Sequence, residues 1–187
     1  MIFQEKRITL KNGQECILRS PDIEDAEKLL EYLKKTSSET DFLIRYPEEV
    51  TMSIEEEENF IKNIMESSRN IMILAFINNI IVGSSGINCV GENAKLLHRG
   101  GLGIAILKEA WHLGVGTAIL SEILNYAKDA GYEQIELEVV SANSRAINLY
   151  EKFGFEIYGT RKNALKLKDG SYYSEHLMMK TLKKYQS

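Results

Sequence analysis

Two short stretches of this chain carry residues whose types and spacing suit chemistry. The first is Gly114-Val115-Gly116-Thr117, set between an apolar run from Ile104 to Leu107 and a helical pattern that continues to Ala130. A strand that feeds a helix through a Gly-x-Gly turn leaves backbone N–H groups unpaired at the helix start. Those donors, with the positive end of the helix dipole, make a place for an anion such as a phosphate. Glycine serves there because a missing Cβ lets a bulky phosphate come close to the main chain. Two familiar phosphate-binding patterns do not fit the stretch. A Walker loop ends in Gly-Lys-Ser/Thr, and no lysine precedes Thr117; a dinucleotide fingerprint needs a third glycine where Ile119 stands. The second stretch runs from Asn143 to Phe155. Asn143 can cap a helix whose core stripe is Ala146, Leu149, Tyr150 and Phe153, and the Tyr150 hydroxyl needs a partner if it is buried there. No metal site is expected, because Cys16 and Cys89 are isolated and His98, His112 and His176 lack ligand spacing.

The elements that must position these residues can be read from periodicity and turn chemistry. Residues 7–19 read as a hairpin closed by Asn12-Gly13 as a two-residue turn. Ser20-Pro21 then opens a helix with Ala26, Leu29, Leu30 and Leu33 on its core face. A polar connection from Thr36 to Val50 leads to a second helix, for which Ser53 and Glu56 form a capping box; its acidic first turn, Glu55 to Glu58, suits the dipole. Ile71 to Ile77 and Ile80 to about Cys89 are strands joined at Asn78-Asn79, and a third strand spans roughly Leu96 to Leu107. The helix after the glycine turn ends at Gly131, and Gln134 to Val140 alternates as a strand. The tail gives strands at Phe155 to Leu167 and on to about Leu182, turning at Lys168-Asp-Gly170. The crossover from Ile104 to Val140 makes its two strands parallel, whereas the short connections elsewhere favour antiparallel pairing. The expected fold is α/β: a mixed, mostly antiparallel twisted sheet with one parallel strand pair and helices on both faces.

Bulk properties narrow the function. With 187 residues, the chain suits a single domain, 1–187, that can bury a proper core. A net charge of −4 offers no general attraction to nucleic acid or to an anionic membrane. There is no apolar run long enough to span a bilayer, and the start at Met1 lacks the layout of a signal peptide. Unpaired cysteines agree with a reducing, cytoplasmic setting. The expectation is a cytoplasmic protein with no metal, no nucleic-acid partner and no membrane partner.

The form Asn143-x-x-Ala146-x-x-Leu149-Tyr150-x-Lys152-x-Gly154-Phe155, placed after Trp111-x-x-Gly114-x-Gly116, resembles the GNAT family of N-acetyltransferases. Within it the chain looks most like the branch of the ribosomal-protein alanine acetyltransferases. The resemblance implies the acyl-CoA N-acyltransferase fold, acetyl-CoA as cosubstrate and transfer of its acetyl group to a primary amine, on a small molecule or a protein N-terminus. Backbone amides from Leu113, Gly114, Val115, Gly116 and Thr117 would hold the pyrophosphate. The main chain at Ile104 and Ile106 would pair with the pantetheine arm, in a gap where a bulge splays that strand from its parallel neighbour. Asn143 would bond the same arm, and Tyr150 would be the acid that meets the departing thiolate. A protonated amine also needs a base, for which His98 is the readiest candidate and Glu92, Glu136 and Glu138 are others. Homodimerisation is common among such domains. Trp111 and Leu113 depart from the usual Arg or Gln and Lys, which shifts the phosphate grip onto the backbone; Ser174 stands where the branch often has aspartate. Two other readings are an acyl-CoA-binding sensor without catalysis, against which the retention of Tyr150 argues, and a domain for another phosphate compound.

Overall fold

Asn78 and Asn79 both adopt left-handed backbone (φ 50° and 63°), the geometry of a tight hairpin turn that joins β3 (Ile71–Ile77) to β4 (Ile80–Cys89). The computed structural model describes residues 2–183, so the ends of the expected 1–187 domain lie outside it. Its residues fall into two compact units, Met1–Asn88 with Gly103–Leu124, and Cys89–Leu102 with Asn125–Ser187.

In the first unit β1 (Lys6–Thr9) and β2 (Glu15–Arg19) form an antiparallel hairpin. Its turn is wider than the predicted Asn12-Gly13 pair. The Leu10 N–H bonds the Gln14 carbonyl at 2.8 Å, and the Gly13 N–H bonds that of Leu10 at 2.9 Å. Residues 11–13 therefore make the reversal, with Gly13 left-handed at φ +83°. The strands follow the order β1-β2-β3-β4, all antiparallel, with an irregularity in register at Ala75/Phe76.

Ser20-Pro21 does not open the first helix. Asp22 caps a 3-10 turn, Ile23–Asp25, which leads into α1 (Ala26–Glu39). The reason is a reciprocal cap: the Asp22 carboxylate accepts from the Glu24 N–H, and the Asp25 carboxylate accepts from the Asp22 N–H at 2.7 Å. Asp25 is also gripped by the Arg19 guanidinium at 2.6 and 2.8 Å, while Ser20 Oγ accepts from the Phe3 N–H. The core face of α1 includes Ala26, Leu29 and Leu30 as expected, but Tyr32 is buried where Leu33 was expected. The Ser53–Glu56 capping box opens α2 (Ile54–Glu66) as predicted. That helix buries Glu57 beside Ile61 and Ile64, and neither Glu57 oxygen meets a partner among the described residues. Burial raises the Glu57 pKa, and the charge of Arg45 opposes that rise only in part.

The strand β5 (Arg99–Ile106) begins later than predicted, because Ala94–Leu96 is a 3-10 turn. After it comes α3 (Val115–Asp129). In the first unit, a Cβ on Gly83 of β4 would lie 3.2 Å from Ile119 and 3.3 Å from Val115, so α3 rests closely on that face. Next along the strand, Ser84 Oγ bonds the Tyr32 hydroxyl of α1. Successive side chains of a strand point to opposite faces, so α1 and α3 cover opposite sides of β4, as expected.

In the second unit, Gly131 (φ +80°) and Tyr132 close α3 by bonding the carbonyls of Lys128 and Ala127, a Schellman end. The strand β6 (Gln134–Val140) leads to α4 (Ser144–Lys152), which stops at Gly154 with φ +80°. The chain closes with β7 (Glu156–Lys166) and β8 (Tyr172–Thr181). Strand order in this unit is β5-β6-β8-β7. The one parallel pairing among the described residues is β5 with β6, over Arg99↔Gln134, Gly100↔Ile135 and Gly101↔Glu136, and it does not extend to Leu102. β8 runs antiparallel to both β6 and β7. The sheet is thus mixed and mostly antiparallel with one parallel pair.

Candidate functional site

In the first unit the glycine turn is held by its neighbours rather than by its own side chains. Leu107 closes the strand by giving its N–H to the Val82 carbonyl at 2.9 Å, and a 3-10 turn follows at Lys108–Ala110. Trp111 then folds its indole back, with Nε1 donating to the Ile106 carbonyl at 2.8 Å. His112 (φ 64°) and Gly114 (φ 101°) are both left-handed. At Gly114 any side chain would be strained. The Leu113 carbonyl accepts the Lys11 N–H of the hairpin turn at 3.0 Å, and the Gly114 carbonyl accepts the first helical bond, from the Ala118 N–H.

Those bonds leave a specific set of donors open. A glycine before the helix has no side-chain oxygen with which to cap it. The amides of Val115, Gly116 and Thr117 meet no acceptor among the described residues. Three N–H groups thus stand unpaired at the positive end of a 15-residue helix. Open donors of this kind are what the anion site expected at the glycine turn requires. Upstream, the main-chain edge at Ile106 is partly occupied, because its carbonyl already serves Trp111. Sequence reasoning took Trp111 as a mere departure from a phosphate-contacting residue; here it braces the turn against the strand.

In the second unit, Asn143 does cap α4. Its Oδ1 accepts from the Ala146 N–H at 3.2 Å, and its NH2 group meets no acceptor among the described residues, so a cap and a ligand contact are compatible. Tyr150 is the one buried residue of α4, at 6% exposure, with its ring 5.8 Å from that of Phe155. Burial alone pushes its phenol pKa up, with no hydrogen bond opposing the shift. The hydroxyl is therefore a protonated donor with no partner in the described chain.

The acid–base candidates separate along β6. The carbonyl of His98 accepts from the Glu133 and Gln134 N–H groups, which sets His98 at the N-terminal end of β6. Asn143 follows the other end of that strand, so the seven residues of β6 lie between the two, a span of about 20 Å. Glu138 is nearer the Asn143 end and half-exposed, with both oxygens engaged by the Arg161 guanidinium at 2.7 and 2.9 Å. Glu136 is paired in the same way to Arg99. The Arg99 bond outweighs burial and holds the Glu136 carboxyl below its usual range, which weakens it as a base. Glu92 is exposed in the turn before β5. Among the described residues no group of histidine, cysteine or carboxylate side chains gathers to hold a metal, and no helix is long and apolar enough to cross a membrane.

Comparison with known proteins adds a family to this geometry. The sequence model described as the acetyltransferase (GNAT) family matches residues 28–155. A protein of Danio rerio named N-alpha-acetyltransferase 50 is 33% identical over 139 residues, 72% of this chain and 79% of the relative. The crystal structure of a GNAT-family acetyltransferase from Streptococcus pneumoniae superposes with a TM-score of 0.86 at 30% identity, covering 89% of this chain and 99% of the other. At 14% identity, YncA from Salmonella typhimurium, a structure with its cofactor acetyl-CoA, shares the fold with a TM-score of 0.79 over 91% of this chain and 95% of its own.

Proposed function

Since the chain belongs to the GNAT family and is an acetyl-CoA-dependent N-acetyltransferase, we propose how its residues share that work and which amine it acetylates. The observation that carries the reading is the set of unmet amides at Val115, Gly116 and Thr117 behind the left-handed Gly114. These, with Leu113 and Gly114, hold the pyrophosphate of acetyl-CoA. The main chain at Ile104 and Ile106 pairs with the pantetheine arm as an added strand pairs with a sheet edge. The NH2 group of Asn143 bonds that arm. The reading takes both units as one acetyltransferase domain, supported by a family match that runs through parts of each.

The reaction is direct attack. The amine nitrogen bonds the acetyl carbon, the C–S bond breaks, the sulfur leaves as a thiolate that takes the Tyr150 proton, and the proton shed by the acylated nitrogen restores the phenol through water. The products are the N-acetyl amine and free CoA. Before attack the ammonium must lose a proton, since an alkyl amine is mostly protonated at neutral pH. His98 is one base for that step. Glu138 is the second reading, supported by its place toward the Asn143 end of β6 and its half-exposed side chain, which would have to leave Arg161 to act. A water can link either base to the amine.

For the acceptor we take a protein N-terminus first and a small-molecule primary amine second, because the zebrafish relative is named for acetylation of an α-amine. Membership of the ribosomal-protein alanine acetyltransferase branch and a homodimeric state are part of the same proposal. The test is thiol release from acetyl-CoA with a panel of N-terminal peptides, amino acids and polyamines, alongside calorimetry with acetyl-CoA, ATP and NAD. Tight binding of acetyl-CoA alone and turnover with an α-amine support the reading. Acetyl-CoA binding with no thiol release by any amine overturns it in favour of a sensor.

A further inference from the structure

Helix α1 carries Tyr32, Lys35 and Glu39 at i, i+3 and i+7, positions that share one helix face. All three reach the same segment, 105–109, which joins β5 to the glycine turn. The Tyr32 hydroxyl donates to the Ala105 carbonyl at 2.6 Å, Lys35 Nζ reaches Glu109 at 2.9 Å, and Glu39 Oε2 accepts the Lys108 N–H at 2.7 Å. Ser84 Oγ completes the set by donating to the Tyr32 oxygen at 3.2 Å. These contacts differ in weight. Lys35 and Glu109 are both about half exposed, and such pairs contribute little. Tyr32 itself is buried and its bond to Ala105 partly so, whereas the Glu39 bond is exposed but charge-assisted, a class stronger than a neutral pair.

The Tyr32 bond has a directional effect. Along an extended strand, successive main-chain groups point to alternate edges. Holding the Ala105 carbonyl toward Tyr32 and Ser84 turns the groups of Ile104 and Ile106 to the other edge. Trp111 fixes the Ile106 carbonyl from that side. The segment is thus set by the chain's own side chains before any ligand arrives, which lowers the ordering cost of binding.

We propose that Tyr32 and Glu39 are positioning residues for acetyl-CoA. Tyr32 sets the strand edge that receives the pantetheine arm, and Glu39 sets the start of the turn that leads to the pyrophosphate amides. This rests on the reading that β5 and the glycine turn hold acetyl-CoA.

The experiment is calorimetry of the full chain with acetyl-CoA and, separately, with 3′-phosphoadenosine 5′-diphosphate, the part of the cofactor that lacks the pantetheine arm. For Tyr32→Phe the acetyl-CoA Kd rises about tenfold while the fragment Kd stays within about twofold, the scale of one lost hydrogen bond. For Glu39→Ala both ligands weaken by about fivefold, and Glu39→Gln, which keeps an acceptor oxygen, recovers most of the loss. A merely structural role would lower thermal stability without splitting the two ligands. Gly116→Val, which weakens both ligands, is the control on the underlying reading. If it weakens them while Tyr32→Phe shifts both alike or neither, the proposal is overturned and the turn assignment stands. If Gly116→Val leaves both affinities unchanged, the turn assignment falls and the proposal with it. Should Tyr32→Phe fail to fold, equal affinities for Glu39→Ala and Glu39→Gln overturn the proposal by themselves.

Discussion

Replacing Tyr150 with phenylalanine removes one oxygen from a buried ring, at 6% exposure and against Phe155. That makes it an unusually clean test of the acid role. In most buried tyrosines the substitution breaks a hydrogen bond and costs about 1 kcal/mol. Here no described residue bonds the hydroxyl, and burial is the sole cause of its raised pKa. The variant should therefore be as stable as the parent, or more stable by up to about 1 kcal/mol, a rise of no more than about 4 °C in Tm. Turnover should move the other way. Loss of one general acid lowers kcat by about 10-fold at the least and by up to about 10⁴-fold. Acetyl-CoA affinity should be little changed. The acid works only while protonated, and a raised phenol pKa extends the protonated range upward. The parent's kcat should then show no loss attributable to this group as pH rises from 7 toward the ordinary tyrosine value of 10. Thiol release followed continuously over that range, with a thermal melt of each variant, checks all of this. A folded Tyr150→Phe variant with turnover within about twofold of the parent refutes the assignment.

Other outcomes follow from the same geometry. Gly116→Val should weaken acetyl-CoA binding far more than Trp111→Phe, because the first blocks approach to the open amides and the second loses the single indole bond to Ile106; calorimetry compares them, and equal losses refute the backbone-grip picture. Glu57→Leu should stabilise the protein by about 1–3 kcal/mol at pH 8, read by urea unfolding, since it removes a buried carboxyl with no partner. The sign with pH is fixed by the raised pKa of Glu57. Its proton stabilises the native state fully below the unfolded value near 4.5 and less as pH climbs through the folded value, so the gain must shrink toward pH 4.5. Of His98→Gln and Glu138→Gln, the one that removes the acidic limb of the kcat/KM profile identifies the base; intact limbs in both leave proton removal to water.

The sequence carried the fold well where turns and caps have strict chemistry. The Ser53–Glu56 box, Asn78-Asn79 and Gly131 each require one local geometry, and each stands where it was read. It misled at Ser20-Pro21, where a serine and a proline suited to a helix start lost to the reciprocal Asp22–Asp25 cap tied down by Arg19, a residue contributed by a strand. Leu33 continues the spacing of Ala26, Leu29 and Leu30, and Tyr32 lies off that strict repeat although it is the residue buried. Burying Tyr32 becomes favourable only because Ala105 and Ser84, far along the chain, satisfy its oxygen. The same limit hid the Trp111 brace and the Glu39 contact to Lys108, since a side chain's partner across the fold leaves no mark on spacing. The turn at Gly114 and the Asn143 cap were legible because each is set by neighbouring backbone.

The bond from the Lys11 N–H to the Leu113 carbonyl bears on where this enzyme begins as a functional object. The family match opens at residue 28 and closes at 155, and it contains both motifs. A protein trimmed to those limits would still score as a member, yet it would lack the β1–β2 hairpin that anchors the glycine turn from outside. Grafting or shuffling experiments guided by motif boundaries alone should yield chains that keep the signature residues and lose cofactor affinity. The hairpin should therefore be exchanged together with the turn it steadies.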